Sequence, residues 1–361
     1  AGAVAQPDGE RAGMARAARA AVAGSIERAT PRAADAVGGM MAAERAKLTA
    51  RTSPRNMPAP FAILDHFSID DLSKNNMLKN ETKLFSKLMM TPASAGLRRT
   101  FQLNDAVKKG ARGDSGIIRI HVIGAGTMGG DIAAVAAMSG FSVRLRDLDP
   151  AALDGAVARA GVLYDSRLKD PQRVADTLAR LEADPDGAGL ATADLVIEAV
   201  AERLEIKQKV FAAAEAVMKP DAIMATNTSA IPLEEIGSGL ADPGRLIGMH
   251  FFNPVPVLPL VEIVYTDASR QDFVTRAMQV CGAMKKQPVR CKSSPGFLVN
   301  RALLPYMFGA IEAMLDGADP DRLDQALVAF GMPMGPIELC DQVGLDVCLD
   351  AGSVIGMSET S

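Results

Sequence analysis

Residues 117–149 read IIRIHVIGAGTMGGDIAAVAAMSGFSVRLRDLD and contain the start of an α/β unit. The β-branched run at 117–123 predicts a strand that stops at glycines. Small apolar residues at 127–139 predict a helix that ends at Gly140, and a second strand follows at 141–148. A strand, a glycine turn, a helix and another strand in this order indicate the beginning of a parallel sheet.

The turn after the first strand has the spacing GxGxxG, formed by Gly124, Gly126 and Gly129. The first glycine allows a tight turn, the second lets a pyrophosphate approach the backbone, and the third lets helix and strand pack closely. The helix N-terminus supplies free N–H groups for an anion. Asp147 then lies at the end of the second strand, where a carboxylate binds a ribose 2′-hydroxyl. This context favours a dinucleotide site over a purely structural glycine turn.

Asp147 also bears on the choice between NAD and NADP, because a carboxylate repels a 2′-phosphate. Arg144 and Arg146 are the competing signal, since an arginine near this position accommodates that phosphate. Side chains alternate along a strand, which places the two arginines on one face and Leu145 with Asp147 on the other. We therefore predict NAD, with NADP as the alternative.

Strand and helix patterns continue to alternate as far as residue 293. Further short apolar strands are predicted at 195–200, 222–226 and 246–249, and helix starts at Asp149-Pro150 and Asp170-Pro171. This alternation predicts an α/β fold with a Rossmann-type, doubly wound and mostly parallel sheet.

The regions that flank the alternating part read as helices. Residues 1–115 are predicted to form a helical connecting region, with a linker at its end over 108–116. The sheet domain is expected over 116–293. After Pro295 the strands cease, so 294–361 is predicted to form a helical C-terminal domain.

Composition excludes several classes of function. A net charge of −4 argues against a nucleic-acid surface, and no apolar run approaches the ~20 residues of a membrane span. The four cysteines form no CxxC pair, so neither a metal site nor a disulfide framework is expected. Reduced thiols are typical of the cytoplasm. Although the first residues are rich in Ala and Arg, the early Asp8 and Glu10 disfavour a targeting segment.

Three histidines are available for acid–base chemistry. We expect His66 to be a surface residue and His121, inside the first strand, to be structural. His250 directly follows the strand LIGM and opens HFFNPVPVLPLVE, which ends at Glu262. Asn-Thr-Ser at 227–229 follows another strand, and ligands bind beyond the carboxyl ends of such strands. For His250 alone a structural role would be favoured, but these neighbours favour catalysis.

Six segments together carry a resemblance to the 3-hydroxyacyl-CoA dehydrogenases. In order, they are VIGAGTMGGDIA, DLVIEAVAERLEIKQKVF, ATNTSAIP, GMHFFNPVPVLPLVEIV, KSSPGFLVNR and GMPMGPIELCDQVGLDV, over roughly residues 117–350. The resemblance implies NAD-dependent oxidation of (S)-3-hydroxyacyl-CoA to 3-oxoacyl-CoA in fatty-acid β-oxidation, with acyl-CoA as substrate.

The same resemblance implies roles for individual side chains. His250 is expected to be the general base and Glu262 its carboxylate partner, while Ser229 and Asn300 are expected to hydrogen-bond the substrate oxygen or the groups around it. The plainer alternatives are a strand-end surface carboxylate for Glu262, a helix cap for Ser229 and an interhelical hydrogen bond for Asn300.

Glu202 and Lys207, in AERLEIK, match family positions near the cofactor. Their alternative is an exposed ion pair on a helix.

A weaker resemblance, at PAPFAILD and MTPASAGLRR, points to the connecting segment of multifunctional β-oxidation enzymes. It predicts that the chain is a fragment with an incomplete C-terminal domain that exposes Leu303, Leu304, Met307 and Phe308. A homodimer or a multifunctional complex is the expected assembly. Two alternatives remain: a sugar-acid dehydrogenase of related fold, and an NAD-binding fragment without turnover.

Overall fold

The computed structural model describes residues 31–68, 73–345, 348–349 and 352. They divide into two compact units, one reaching Gln102 and including Ala326–Pro333, the other comprising Leu103–Gln325 and residues from Met334 onward. No helix among the described residues is long and apolar enough to cross a membrane. The predictions made for residues 1–30, including the targeting question, lie outside the described part.

The first unit is built of helices. They are α1 (Pro31–Thr49), α2 (Pro58–Phe67), α3 (Lys74–Met89) and most of α4 (Pro92–Gly110). Prolines occupy the first turns of α2 and α4, where the missing N–H costs no helical hydrogen bond. The helical prediction for this region is therefore confirmed, but α4 continues to Gly110, so a linker beginning at 108 was wrong.

His66 also departs from its prediction as a surface residue. It lies in the last turn of α2 and is half-buried. Its Nδ1 is 3.0 Å from Nδ2 of Asn80, on α3. His66 thus has a local structural contact within this unit.

The second unit contains one eight-stranded sheet and the helices around it. Its strands are β1 (Arg119–Ile123), β2 (Ser142–Arg146), β3 (Leu181–Ala183), β4 (Leu195–Glu198), β5 (Ile223–Thr226), β6 (Leu246–Phe251), β7 (Leu260–Tyr265) and β8 (Gln287–Lys292). The strand order is β3-β2-β1-β4-β5-β6-β7-β8. All neighbours are parallel except β6 and β7. This confirms the doubly wound, mostly parallel sheet.

Helices α5 (Thr127–Met138), α6 (Pro150–Leu168), α7 (Pro171–Leu178), α8 (Leu204–Glu215), α9 (Leu233–Ile236) and α10 (Gln271–Ala283) connect the strands. The predicted caps form: Asp149 accepts a hydrogen bond from the N–H of Ala151, and Asp170 accepts one from the N–H of Gln172. Two apolar clusters cover the two faces of the sheet. Its central strands are therefore buried on both faces, as their continuous apolar sequences require.

Three strands escaped the sequence prediction. β3 has only three residues, β7 carries Glu262, for which a strand-end surface position was only the alternative, and β8 begins beside Pro288. Only Pro288 is buried in β8, and its other residues are partly or fully exposed, unlike those of the central strands. The two strands at the edges of the sheet, β3 and β8, are thus missed for want of a continuous apolar run, whereas β7 is missed although it is buried.

Among the described residues after the sheet lie α11 (Val299–Leu315), α12 (Pro320–Phe330) and α13 (Pro336–Val343), in agreement with the predicted helical region. Leu304 and Met307 pack against Cys340 and Cys348, and all four are buried. Leu303 and Phe308 are partly buried beside them. The expected exposure of these apolar residues is therefore wrong, because Cys340 of α13 and Cys348 pack against α11.

Candidate active site

The glycine turn between β1 and α5 has the geometry its spacing predicts. Gly124 has φ of 108°, and a Cβ there would clash with the carbonyl oxygen of Ala199. A Cβ on Gly129 would clash with the carbonyl oxygen of Gly124. Gly126, at the N-cap of α5, instead faces open space. The first and third glycines thus close the turn, while the second leaves room beside the helix N-terminus for a phosphate.

Asp147 lies at the end of β2 and reaches back to this turn. Its Oδ2 accepts a 2.6 Å hydrogen bond from the N–H of Ala125, and its Oδ1 accepts one of 3.0 Å from that of Asp149. Each carboxylate oxygen has a second acceptor position. Asp147 is therefore oriented beside the glycines and can still accept bonds from ribose hydroxyls.

The two arginines of β2 lie against a different segment. Arg144 pairs with Glu182 at 3.2 Å, and its side chain covers Gly189. The guanidinium of Arg146 lies beside Gly187. Both arginines therefore pack on the turn after β3, while Asp147 contacts the glycine loop, as the strand alternation predicts.

His250 and Glu262 form a buried pair. They are register partners across the antiparallel strands β6 and β7. Nδ1 of His250 is 2.7 Å from Oε2 of Glu262, and the residues are 6% and 1% exposed. A carboxylate only accepts hydrogen bonds, so Nδ1 is the donor, and in the neutral imidazole Nε2 then has the lone pair. The arrangement presents a histidine with one nitrogen oriented and the other available as a base.

The second oxygen of Glu262 is held by the start of α11. Oε1 accepts hydrogen bonds from the N–H groups of Leu298 and Val299, at 2.9 and 2.8 Å. Because a helix N-terminus stabilises negative charge, this contact offsets part of the cost of burying the carboxylate. Glu262 is thus fixed at both oxygens and is not a surface residue.

Aromatic rings surround the imidazole. The rings of Phe252 and Phe297 have centroids 4.5 and 6.0 Å from that of His250. Asn227 accepts a 2.8 Å bond from the N–H of Phe251, so the strand carrying His250 is also held by the end of β5.

Ser229 and Asn300 lie together. Nδ2 of Asn300 donates to the backbone oxygen of Ser229 at 3.0 Å. Oε1 of Glu202 accepts hydrogen bonds from the N–H and Oγ of Ser229, at 2.8 and 3.3 Å, and from Oγ1 of Thr228 at 2.5 Å. The structure therefore brings three predicted site residues into one hydrogen-bonded group at the ends of β4 and β5.

Lys207 joins that group to a carboxylate that the sequence reasoning missed. Its Nζ lies 3.0 Å from Oε2 of Glu202 and 2.9 Å from Oε1 of Glu198. Lys207 is 1% exposed and Glu198 is fully buried, with a further 2.6 Å bond from Oγ1 of Thr226. An exposed helix pair is thus excluded for Lys207. The available signal was a charged residue inside the apolar strand LVIE.

Electrostatics support an ionised Glu202. Burial by itself would raise the pKa of this carboxyl group, but Lys207 and the hydrogen bonds from Thr228 and Ser229 lower it below its ordinary value. The ammonium group of Lys207 therefore lies between the carboxylates of Glu198 and Glu202, close to the carboxyl ends of the strands.

His121 has the structural role predicted for it. Its Nε2 lies 3.0 Å from Oδ2 of Asp184, and burial lowers the pKa of the imidazole despite that carboxylate. Within the described residues, no group of three or more His, Cys, Asp or Glu side chains is arranged to hold a metal ion.

Two family models match the chain. Residues 119–294 match the 3-hydroxyacyl-CoA dehydrogenase NAD-binding domain, and residues 296–360 match the C-terminal domain of the same family. Together they cover the sheet and the helices after it.

Individual proteins give the same relationship. The fatty acid oxidation complex subunit alpha of Acinetobacter baylyi is 36% identical over 329 residues, which are 88% of this chain and 46% of that protein. The structure of (S)-3-hydroxybutyryl-CoA dehydrogenase PaaH1 from Ralstonia eutropha superposes with a TM-score of 0.65 and 32% identity, covering 68% of this chain and 89% of that one. The 3-hydroxybutyryl-CoA dehydrogenase of Escherichia coli has a TM-score of 0.65 and 40% identity, covering 67% and 52%. This chain thus spans under half the length of the curated relatives it matches.

Proposed function

The chain belongs to the 3-hydroxyacyl-CoA dehydrogenase family, and on that premise we propose that it oxidises (S)-3-hydroxyacyl-CoA to 3-oxoacyl-CoA with NAD. The observation that carries the proposal is the buried His250–Glu262 pair, which lies in the same unit as the dinucleotide turn. A base beside a hydride acceptor is what the oxidation of a secondary alcohol requires.

The residues around the glycine turn fit NAD. The open space at Gly126 and the N-terminus of α5 suit the pyrophosphate, and Asp147 suits the adenosine ribose. When bound, NAD supplies the nicotinamide that takes up the hydride.

His250 would remove the proton of the substrate's 3-hydroxyl group through Nε2. The oxygen's electron pair then forms the carbonyl as the hydride leaves C3, and the imidazole becomes an imidazolium. Glu262 holds Nδ1–H in place and stabilises the positive charge that develops. Its own two bonds to the start of α11 keep the carboxylate in position.

Ser229 and Asn300 would orient the reacting oxygen. Asn300 is tethered to the backbone of Ser229, and Ser229 is tethered to Glu202, so the positions of the two side chains are coupled. Asn300 keeps a second amide N–H, and a pre-positioned donor of this kind would stabilise charge on the substrate oxygen as the carbonyl forms. The ion pair of Lys207 with Glu202 would hold Glu202 in place near the bound cofactor.

The assembly and location of the protein are also proposals. A relative is named as a subunit of a fatty acid oxidation complex, which favours a multifunctional complex, with a homodimer as the alternative. The four cysteines are free, which fits a reducing, cytoplasmic compartment.

A direct assay tests the reaction. The purified chain is mixed with NAD and (S)-3-hydroxybutyryl-CoA, and NADH is followed by fluorescence. We expect NADH with this thioester and none with the free 3-hydroxy acid. The proposal fails if NADH binds but no 3-hydroxyacyl-CoA, short or long, is oxidised; a sugar acid that is oxidised instead would favour the alternative enzyme class.

A further inference from the structure

A lysine with no part in the proposed chemistry is buried next to the loop that joins β6 and β7. Lys286 comes between α10 and β8 and is only 7% exposed. Full burial of a lysine is rare unless its ammonium group is hydrogen-bonded. Its neighbour Lys285 is exposed, with φ of 58°.

The ammonium group of Lys286 is bound to backbone oxygens of one loop. It donates to the oxygen of Val255 and, at 2.8 Å, to that of Leu258. Both acceptors belong to residues 252–259, which we call the hairpin loop because they join the antiparallel strands β6 and β7. A charged donor makes these bonds stronger than bonds between neutral groups.

The loop is organised around this contact. The N–H groups of Val257 and Leu258 donate to the oxygen of Pro254 at 3.0 and 2.9 Å, which folds the loop into a turn. The N–H of Gln287 donates to the oxygen of Pro259 at 2.7 Å. Residues 286 and 287 thus hold both the middle and the end of the loop.

The hairpin loop begins beside the proposed base. Phe252, its first residue, packs its ring 4.5 Å from the imidazole of His250. Farther along, Val257 is 64% exposed and Leu258 is 38% exposed. The loop therefore presents apolar side chains to solvent a short way along the chain from the catalytic pair.

We propose that Lys286 is a positioning residue that fixes the hairpin loop as an apolar wall for the acyl-CoA substrate. The inference rests on the proposed function for the identity of that substrate. His250 and Glu262 are held by strand register and by α11, independently of Lys286. Loss of Lys286 should consequently affect substrate affinity more than the chemical step.

The test compares Lys286→Met, Lys285→Met as a control with the same loss of charge, and Lys286→Arg as the conservative variant. We expect Lys286→Met to raise KM for 3-hydroxybutyryl-CoA about tenfold, the cost of roughly one charge-assisted hydrogen bond. Its kcat should stay within about threefold and its NADH affinity should not change. Lys285→Met should resemble the wild type, and Lys286→Arg should recover part of the affinity.

An unchanged KM in a folded Lys286→Met protein overturns the proposal, as does an equal loss in Lys285→Met. If Lys286→Met does not fold, the exposed Val257→Ser variant replaces it, with the same expected rise in KM; an unaltered KM there shows that the loop is no substrate wall.

Hydrogen exchange separates this inference from the proposed function. The amides of Val257 and Leu258 should exchange at least tenfold faster in Lys286→Met than in Lys285→Met, whether or not the enzyme turns over. Equal exchange rates in the two variants would show that Lys286 does not fix the hairpin loop. Faster exchange in a chain that oxidises no 3-hydroxyacyl-CoA would refute the substrate assignment instead.

Discussion

At the scale of single residues, His250 is the side chain with the clearest chemical task. Replacing it with Gln retains polarity and approximate size but removes the base. We expect kcat to fall by about 10²–10⁴, the usual contribution of a general base, with NADH affinity close to that of the wild type. Steady-state kinetics and fluorescence titration check the two expectations. Turnover within a few-fold of the wild type would exclude His250 as the base.

Glu262 should matter in the same step as His250. Glu262→Gln keeps an oxygen for the N–H groups of Leu298 and Val299, but it removes the charge that stabilises the imidazolium and turns an amide NH₂ toward Nδ1. Because Nδ1 then has to accept and Nε2 carries the proton, we expect kcat to fall by about 10²–10⁴. Circular dichroism provides the control for folding. A loss of substrate affinity with normal kcat would point to a purely structural role.

Asp147 should make the chain prefer NAD. A carboxylate accepts bonds from ribose hydroxyls and repels a 2′-phosphate, so NADH should bind at least about tenfold more tightly than NADPH. Fluorescence titrations measure both affinities. Asp147→Asn should reduce the ratio between the affinities for NADH and NADPH. Equal affinities in the wild type would indicate that Arg144 or Arg146 reaches the phosphate.

The sequence points to these candidate residues through short local motifs. The glycine spacing, Asp147 and the histidine after LIGM are readable because each sits beside a recognisable strand. Glu198 was missed because the sequence alone does not show that Lys207 lies next to this carboxylate and pairs with it. The contact between Lys286 and the hairpin loop is likewise invisible in sequence, because it joins residues about 30 positions apart.

At the scale of elements, Asp194 ties the amino ends of central strands together. It precedes β4 and accepts bonds from the N–H groups of Ile118 and Arg119 at 3.0 and 2.8 Å, and it pairs with Lys219. Burial alone would raise its pKa, but these bonds lower the pKa from 3.8 to about 2. The carboxylate therefore stabilises the fold above pH 4, and this contribution is lost as the pH falls from about 4 to 2.

Asp194→Asn should accordingly lower the free energy of unfolding by about 2 kcal/mol at pH 7. Urea unfolding at several pH values measures this, and the difference from the wild type should shrink below pH 4. Asp186→Asn, at an exposed carboxylate in the same unit, is the matched control and should have little effect. A difference that is constant down to pH 2 would show that ionisation of Asp194 is not the cause.

Burial alone did not decide which strands could be predicted. The short β3 and the partly exposed β8 leave little apolar signal. β7, in contrast, is buried along most of its length like the central strands and was still missed, although its sequence LVEIVY is mostly apolar. The antiparallel pairing of β6 with β7 is set by the hairpin loop, and no periodicity reveals it. That pairing nevertheless creates the His250–Glu262 contact, so the family resemblance supplied what the pattern of residues did not.

At the scale of the whole molecule, the predicted division at 115–116 and 293–294 stays a prediction. The compact units separate near Gln102, and residues 326–333 belong with the first unit. A helical pattern shows that a helix has an apolar face but not which other helix covers it. The cluster around Leu304, for example, combines residues of α11 with Cys340 of α13.

We propose that hydride passes from C3 of a 3-hydroxyacyl-CoA to NAD in this chain. Incubation with NAD and 3-hydroxybutyryl-CoA deuterated at C3, followed by mass spectrometry of the NADH, tests that transfer directly. We predict one deuterium in each NADH from the wild type and a rate about 10²–10⁴ lower with His250→Gln. NADH without deuterium, or no NADH from a chain that binds NAD, would contradict the account.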